Sequence, residues 1–118
     1  MKNYSKIGTS EEARTELHDK LGLTGAEISI NILPAGGCVP FVHSHKQNEE
    51  IYAIVEGEGA VVIDGENIRV KAGDWLRISP EAKRQFFASE KTALKYICIQ
   101  VKAGSLEGYT MNDGVVSN

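Results

Sequence analysis

The sequence predicts an all-β domain, an antiparallel sandwich or barrel with one short N-terminal helix. Three observations carry this. Strand-like segments recur about every eight to twelve residues from position 26 onward, with turn signals between them. Twelve glycines against three prolines supply the tight turns that short strands need. Residues 26–33 alternate apolar and polar side chains almost strictly, the period of a strand with one buried face. A chain of 118 residues fits one domain and leaves no room for a second core. The barrel core is expected over about residues 26–102 of a single domain spanning 1–118.

The helix is expected over about residues 10–21. Thr9 and Ser10 can accept the first free helix amides, and Glu11 and Glu12 suit the positive helix end. Ala13, Leu17 and Leu21 form one apolar stripe, and Gly22 stops the helix. His18 beside this stripe reads as a solvent-facing or capping residue. The first strand, Ala26 to Leu33, ends at Pro34. Ile51–Val55 and Ala60–Ile63 read as two strands joined by a tight bend at Glu56-Gly57-Glu58-Gly59. Asp64-Gly65 is a two-residue hairpin signal, because glycine supplies positive φ, and it leads into Ile68-Arg69-Val70. Strands are expected at Trp75–Ile78, Gln85–Ala88 and Ala93–Val101. The tail from Gly104 is weakly patterned, Asn112 to Asn118 most of all.

Thirteen basic against sixteen acidic residues, a net charge of −3, provide no broad positive field for phosphate backbones. Nucleic acid is therefore excluded as a partner. The longest apolar run, Ile51 to Val55, has five residues, far short of the roughly 20 that span a bilayer. With no apolar segment after Met1-Lys2-Asn3-Tyr4-Ser5-Lys6, no export signal is expected; the cytoplasm is the expected location, and Cys38 and Cys98 are expected as reduced thiols.

The stretch Gly37-Cys38-Val39-Pro40-Phe41-Val42-His43-Ser44-His45-Lys46-Gln47-Asn48-Glu49-Glu50 carries the chemistry. Two histidines at i and i+2 on a strand project to one face, where their imidazoles can share an ion. A carboxylate at Glu50 can complete a facial set with open positions opposite, which suits Fe(II), Mn(II), Ni(II) or Zn(II). The plainer alternative is a pair of surface histidines beside a polar loop, which His-x-His alone favours.

The wider spacing Gly37-x5-His43-x-His45-x4-Glu50-x6-Gly57 resembles, position for position, the first motif of the cupin family. Residues Gly73 to Ala88 resemble its second motif in outline, after an interval of 15 residues, Glu58 to Ala72. The resemblance implies an antiparallel jelly-roll β-barrel of six or more strands, open at one end with a metal inside, and a homodimer. It assigns His43, His45 and Glu50 as metal ligands. In the second motif Ser79, Glu81 and Ala88 replace the family's Pro, Gly and Asn, and Arg84 replaces the His that supplies a fourth ligand.

Arginine keeps its proton and has no lone pair to offer a metal. Three outcomes are open for Arg84. It can line the cavity and hold an anionic substrate group, pair with Glu50 in place of the ion, or turn out to solvent. Tyr52, in step with Glu50, is a second candidate substrate contact, because a buried phenol needs a hydrogen-bond partner. Phe41, Ile54 and Phe86 are also in step with the site and could line the cavity, but each reads first as ordinary barrel core, and Glu49 points away as a rim acid.

The expected function is a divalent-metal cupin barrel, an enzyme of dioxygenase, decarboxylase, isomerase or lyase type on a small oxygenated or anionic molecule. The competing reading is a non-catalytic barrel, with or without a metal, that binds a sugar or small acid. A homodimer is expected because exposed edges, such as the 26–33 or 93–101 strands, need covering.

Overall fold

In the computed structural model residues 3–117 are described; Met1 and Lys2 of the N-terminal stretch and Asn118 of the tail lie outside the described residues. The strands are β1 Arg14–Glu16, β2 Glu27–Leu33, β3 Asn48–Ile63, β4 Glu66–Lys71, β5 Trp75–Ile78, β6 Arg84–Ala88 and β7 Leu94–Lys102, with one helical turn, α1, at His18–Leu21. Every pairing is antiparallel. The all-β barrel expectation holds.

β3 organises the molecule. Its first half lies between β7 and β5, in a sheet that continues from β7 to β2 and β1. Its second half lies between β4 and β6 in the other sheet. The two expected strands at 51–55 and 60–63 are thus one 16-residue strand, and the Glu56–Gly59 stretch bends the chain without reversing it. The register slips between Ile54 and Glu56, as at a β-bulge, and Gly57 takes φ 81°. The glycines serve close approach here. A Cβ on Gly57 would lie 1.8 Å from the Ala93 carbonyl oxygen, and one on Gly59 would lie 2.1 Å from that of Phe87. At Asp64-Gly65 the expected hairpin forms, with φ of 47° and 84°, both positive as a type I′ turn requires.

The helix expected over 10–21 shrinks to its last turn. Arg14–Glu16 instead pair with Ser29–Asn31, and the zipper extends on both sides. The Leu17 N–H donates to the Ile28 carbonyl at 2.8 Å, and the Ile32 N–H donates to that of Ala13 at 2.9 Å. Helix propensity is a weak preference, and β2 offered an open edge whose backbone groups needed partners. Gly22, at φ 68°, ends the turn as expected, and His18 contacts Asp19 at 2.8 Å on the surface.

In β2 the alternation runs opposite to that of an ordinary core strand. Ser29 and Asn31 are buried, while Ile28 and Ile30 on the other face remain half-exposed. These isoleucines lie across from Ile99 and Ile97 of β7, which lie across from Ile51 and Ala53 of β3. An apolar outer face results, and Trp75 of β5, opposite Ala53, is 68% exposed. The inner face packs Tyr52, Ile54, Val61, Phe86, Leu94 and Tyr96 between the sheets. β2 and β7, expected above as exposed edges, are internal: β1 covers β2, and β2 and β3 flank β7. The described residues beyond Lys102 contain turns but no strand, and among the described residues no helix is long and apolar enough to cross a membrane.

Candidate metal and ligand site

His43 and His45 lie on an irregular segment beside β6, not in a regular strand. His43 makes a two-way backbone bridge with Arg84, at 3.2 and 3.0 Å, and the His45 N–H donates to the Pro80 carbonyl at 2.7 Å. Their rings still converge, edge to face with centroids 5.1 Å apart. Glu50 enters from the start of β3, where its register neighbours are Ile78 and Gln100, and it is 2% exposed. One ligand atom from each of the three residues lies within 4.8 Å of the others.

This arrangement fits a cation. His45 Nε2 lies 3.0 Å from Glu50 Oε2, yet it makes no aligned hydrogen bond, and His43 Nδ1 is likewise buried without a partner. Buried polar atoms without partners are uncommon in native structures. Two neutral imidazoles and a carboxylate form a donor set that first-row divalent metals accept.

Glu50 divides its oxygens between two tasks. Oε1 accepts from the Tyr52 hydroxyl and from Arg84 Nη1. Oε2 faces His45 and the Cys98 thiol, whose sulfur is 3.3 Å away. Arg84 is fully buried, and protein carbonyls take its Nη2 and Nε: Nη2 donates to Ser79 at 2.6 Å and Ala82 at 2.8 Å, and Nε to Ala82 at 3.1 Å. Of the three outcomes left open above, the structure shows the pairing with Glu50.

Burial opposes the charge of Glu50. The Tyr52 hydrogen bond and the positive field of His45, with Cys98 and Arg84, nonetheless hold its carboxyl below the ordinary range. Burial lowers the pKa of His43 against the pull of Glu50, so its neutral, metal-binding form is favoured. Burial and the neighbouring carboxylate push the Cys98 thiol up to about 12 and raise the Tyr52 phenol as well.

The three residues stand in the wall of an open cavity of about 580 Å³ between the sheets. Tyr52 lines it as expected, and Arg84 lies behind its wall; Ile54 and Phe86 pack in the core as expected, Phe86 also reaching the cavity, whereas Phe41 lines the cavity and is 57% exposed instead of packing in the core. Glu49 turns outward and approaches Arg77 at 3.6 Å. Both cysteines are free, as expected. Sequence reasoning missed the polar lining residues Arg14, Ser29, Asn31, Gln85 and Gln100. Of these, Ser29 and Asn31 left a signal, the polar half of an alternating strand, but which half faces inward is not written in the alternation. A second hollow of about 690 Å³, along β3, β4 and β6, carries surface charges such as the Lys71–Asp74 pair.

The chain is thus a bent antiparallel β-barrel in whose open cavity two histidines and a glutamate converge as a set that could hold a metal ion. The profile of the cupin domain family matches residues 30–100, and the chain belongs to that family. A cupin protein from Bacteroides fragilis is 64% identical over the whole of both chains, with a TM-score of 0.97. A predicted oxalate decarboxylase from Thermotoga maritima is 27% identical over 64% of each chain, with a TM-score of 0.60. The uncharacterized protein MJ1618 of Methanocaldococcus jannaschii is 36% identical over 67 residues, 57% of this chain, which spans about half (53%) of that relative's length.

Proposed function

We propose that this chain binds a divalent transition metal, Fe, Mn, Ni or Zn, through His43, His45 and Glu50, and acts on a small oxygenated or anionic molecule in the cavity. The convergence of the three ligand atoms within 4.8 Å carries this reading. A bound metal would supply Lewis-acid or redox chemistry. The chain's own residues supply the rest. Arg84 and Tyr52 hold Oε1 of Glu50, which lies 3.9 Å from His43 Nε2, and leave Oε2 facing His45 at 3.0 Å, the kind of outer contact that orients a ligand. Tyr52 and Phe86, with ring centroids 4.6 Å apart, shape the wall against which a substrate lies. The relative described as a predicted oxalate decarboxylase supports a small acid among the candidate substrates, within decarboxylase, dioxygenase, isomerase or lyase chemistry.

A specific observation favours a second reading, a metal-free barrel that binds a sugar or small acid. The Arg84 guanidinium already neutralises Glu50. Metal content decides between the two. Protein purified without a chelating tag is expected to carry about one divalent ion per chain by elemental analysis, and His43→Ala/His45→Ala to carry none while keeping its β-type circular dichroism. A metal-free parent that also fails to take up Mn(II), Ni(II) or Zn(II) would leave the binding barrel as the function.

The proposed assembly is a homodimer. The support is the outer face of Ile28, Ile30, Ile51, Ile97 and Ile99, each only partly buried, with Trp75 68% exposed. Light scattering at micromolar concentration tests it, and a monomeric mass would end it.

A further inference from the structure

We infer that Arg14 is the anion-recognition residue of the cavity, holding the carboxylate of a small organic acid whose other end faces His43, His45 and Glu50. The inference rests on the reading of the cavity given above and adds the substrate class and the residue that selects it.

The first observation is where the charges lie. The fully charged side chains in the cavity lining are Arg14 and Glu50. Glu50 is neutralised by Arg84 from behind the wall, which leaves the lining with the positive charge of Arg14. Its own acidic partner, Glu16, contacts Nη2 at 3.1 Å but is not in the lining, and its side chain is 62% exposed to water. Such an exposed pair is weak, so an anion inside the cavity competes with it readily. A divalent ion at the histidines would make the cavity more positive still.

The second observation is that Arg14 is aimed. Its Nη1 donates to Asn31 Oδ1 at 2.7 Å, and Asn31, 6% exposed, is fixed in turn by donating from Nδ2 to the Ser29 hydroxyl at 3.0 Å. Asn31 and Ser29 are the inward-facing polar residues of β2, and β1 pairs in the register that sets Arg14 directly opposite Asn31. The departure from the expected helix therefore has a consequence for the site: a helix over 10–21 would not place Arg14 on this sheet. Two of the five guanidinium N–H groups are used in these contacts, which leaves three others on a side chain that lines the cavity.

The third observation concerns the ligand's body. The lining also includes the apolar residues Leu33, Pro34, Val39 and Phe41 and the Gln85 amide. Gln85 Nε2 donates to the Val39 carbonyl at 2.7 Å, which holds its amide in place. One cation and apolar walls suit a carboxylate on a carbon chain, since a planar guanidinium fork matches two carboxylate oxygens. A phosphate dianion would call for more donors than these.

The test uses succinate and inorganic phosphate as probes, titrated calorimetrically into the full chain both with chelator and after loading with Mn(II). Arg14→Gln is expected to weaken succinate binding about tenfold, which corresponds to about 1.4 kcal/mol, with melting temperature and Mn(II) uptake unchanged. Arg14→Lys should restore part of the loss. Glu16→Gln, which releases Arg14 from its competitor without touching the cavity, should strengthen succinate binding. Equal succinate affinity in parent and Arg14→Gln would overturn the proposal, as would no succinate binding by the parent in either state. Phosphate binding tighter than succinate would overturn the carboxylate assignment. A parent that takes up no Mn(II), yet loses succinate binding on Arg14→Gln, would sink the metal reading alone and leave Arg14 in its role.

Discussion

Arg84 and Glu50 form a closed ion pair inside the barrel: Nη1 of the one donates to Oε1 of the other, and both residues are at most 2% exposed. The pair joins β6 to the start of β3 across 34 residues of sequence. The carbonyls of Ser79 and Ala82 complete the guanidinium's contacts, so the turn before β6 is folded around this side chain. A charge so placed depends on its partner.

Removing one member should therefore be costly. Arg84→Met is expected to destabilise the metal-free protein by about 3–5 kcal/mol, the range seen when one buried charge is left uncompensated. The double variant Glu50→Gln/Arg84→Met should recover part of that loss, since it removes both charges. Urea unfolding of the four proteins forms the cycle. Additive losses would mean that the two groups do not interact.

Acid should destabilise the metal-free fold through two groups with the same sign. His43 is lowered from 6.5 and Glu50 from 4.5, so in the acid range the unfolded chain binds more protons than the folded one. Their contribution is complete above about 6.5, begins to fall as His43 protonates in the unfolded chain, and falls further below about 4.5 for Glu50. Melting temperatures measured in chelator from neutral to acid pH should drop through both windows in the parent. Glu50→Gln should remove the lower window, and a profile unchanged by that substitution would contradict the assignment.

Gly57 and Gly65 separate two roles of glycine. Both have positive φ, 81° and 84°, but a Cβ at Gly65 meets open space while one at Gly57 meets the Ala93 carbonyl at 1.8 Å. Gly65→Ala should cost about 1–2 kcal/mol from backbone conformation alone. Gly57→Ala should cost clearly more, because β3 and β7 must part at the crossing between sheets. Denaturant midpoints of the two variants check this, and similar losses would mean that the bend relaxes easily.

The site was more legible in the sequence than the fold around it. The spacing of His43, His45, Glu50 and Gly57 marked the cluster that the structure brings together, because metal-ligand spacing is a local property. The β1 strand was hidden, since Ala13, Leu17 and Leu21 fit a helix as well as they do, and only the open edge of β2 decides between the two. Arg14 was invisible for the same reason: its place in the cavity follows from that pairing. The course of Arg84 depended on carbonyls at Ser79 and Ala82, whose direction no side-chain pattern records.

Arg84→His tests how far the metal site is held back by its own arginine. The position is bridged to His43 backbone to backbone, which brings a side chain there next to the first histidine of the cluster. The substitution also frees Oε1 of Glu50 from a competing cation. Affinity for Mn(II), Ni(II) or Zn(II) is expected to rise about 10–100-fold, the scale on which altered metal-site partners act. Stability without metal should move the other way, because the carbonyls of Ser79 and Ala82 lose their donors inside the protein. Calorimetric titration of parent and variant, paired with melts in chelator, reads both effects. A variant that is less stable but binds metal no better would show that Arg84 supports the turn alone and has no hold on the site.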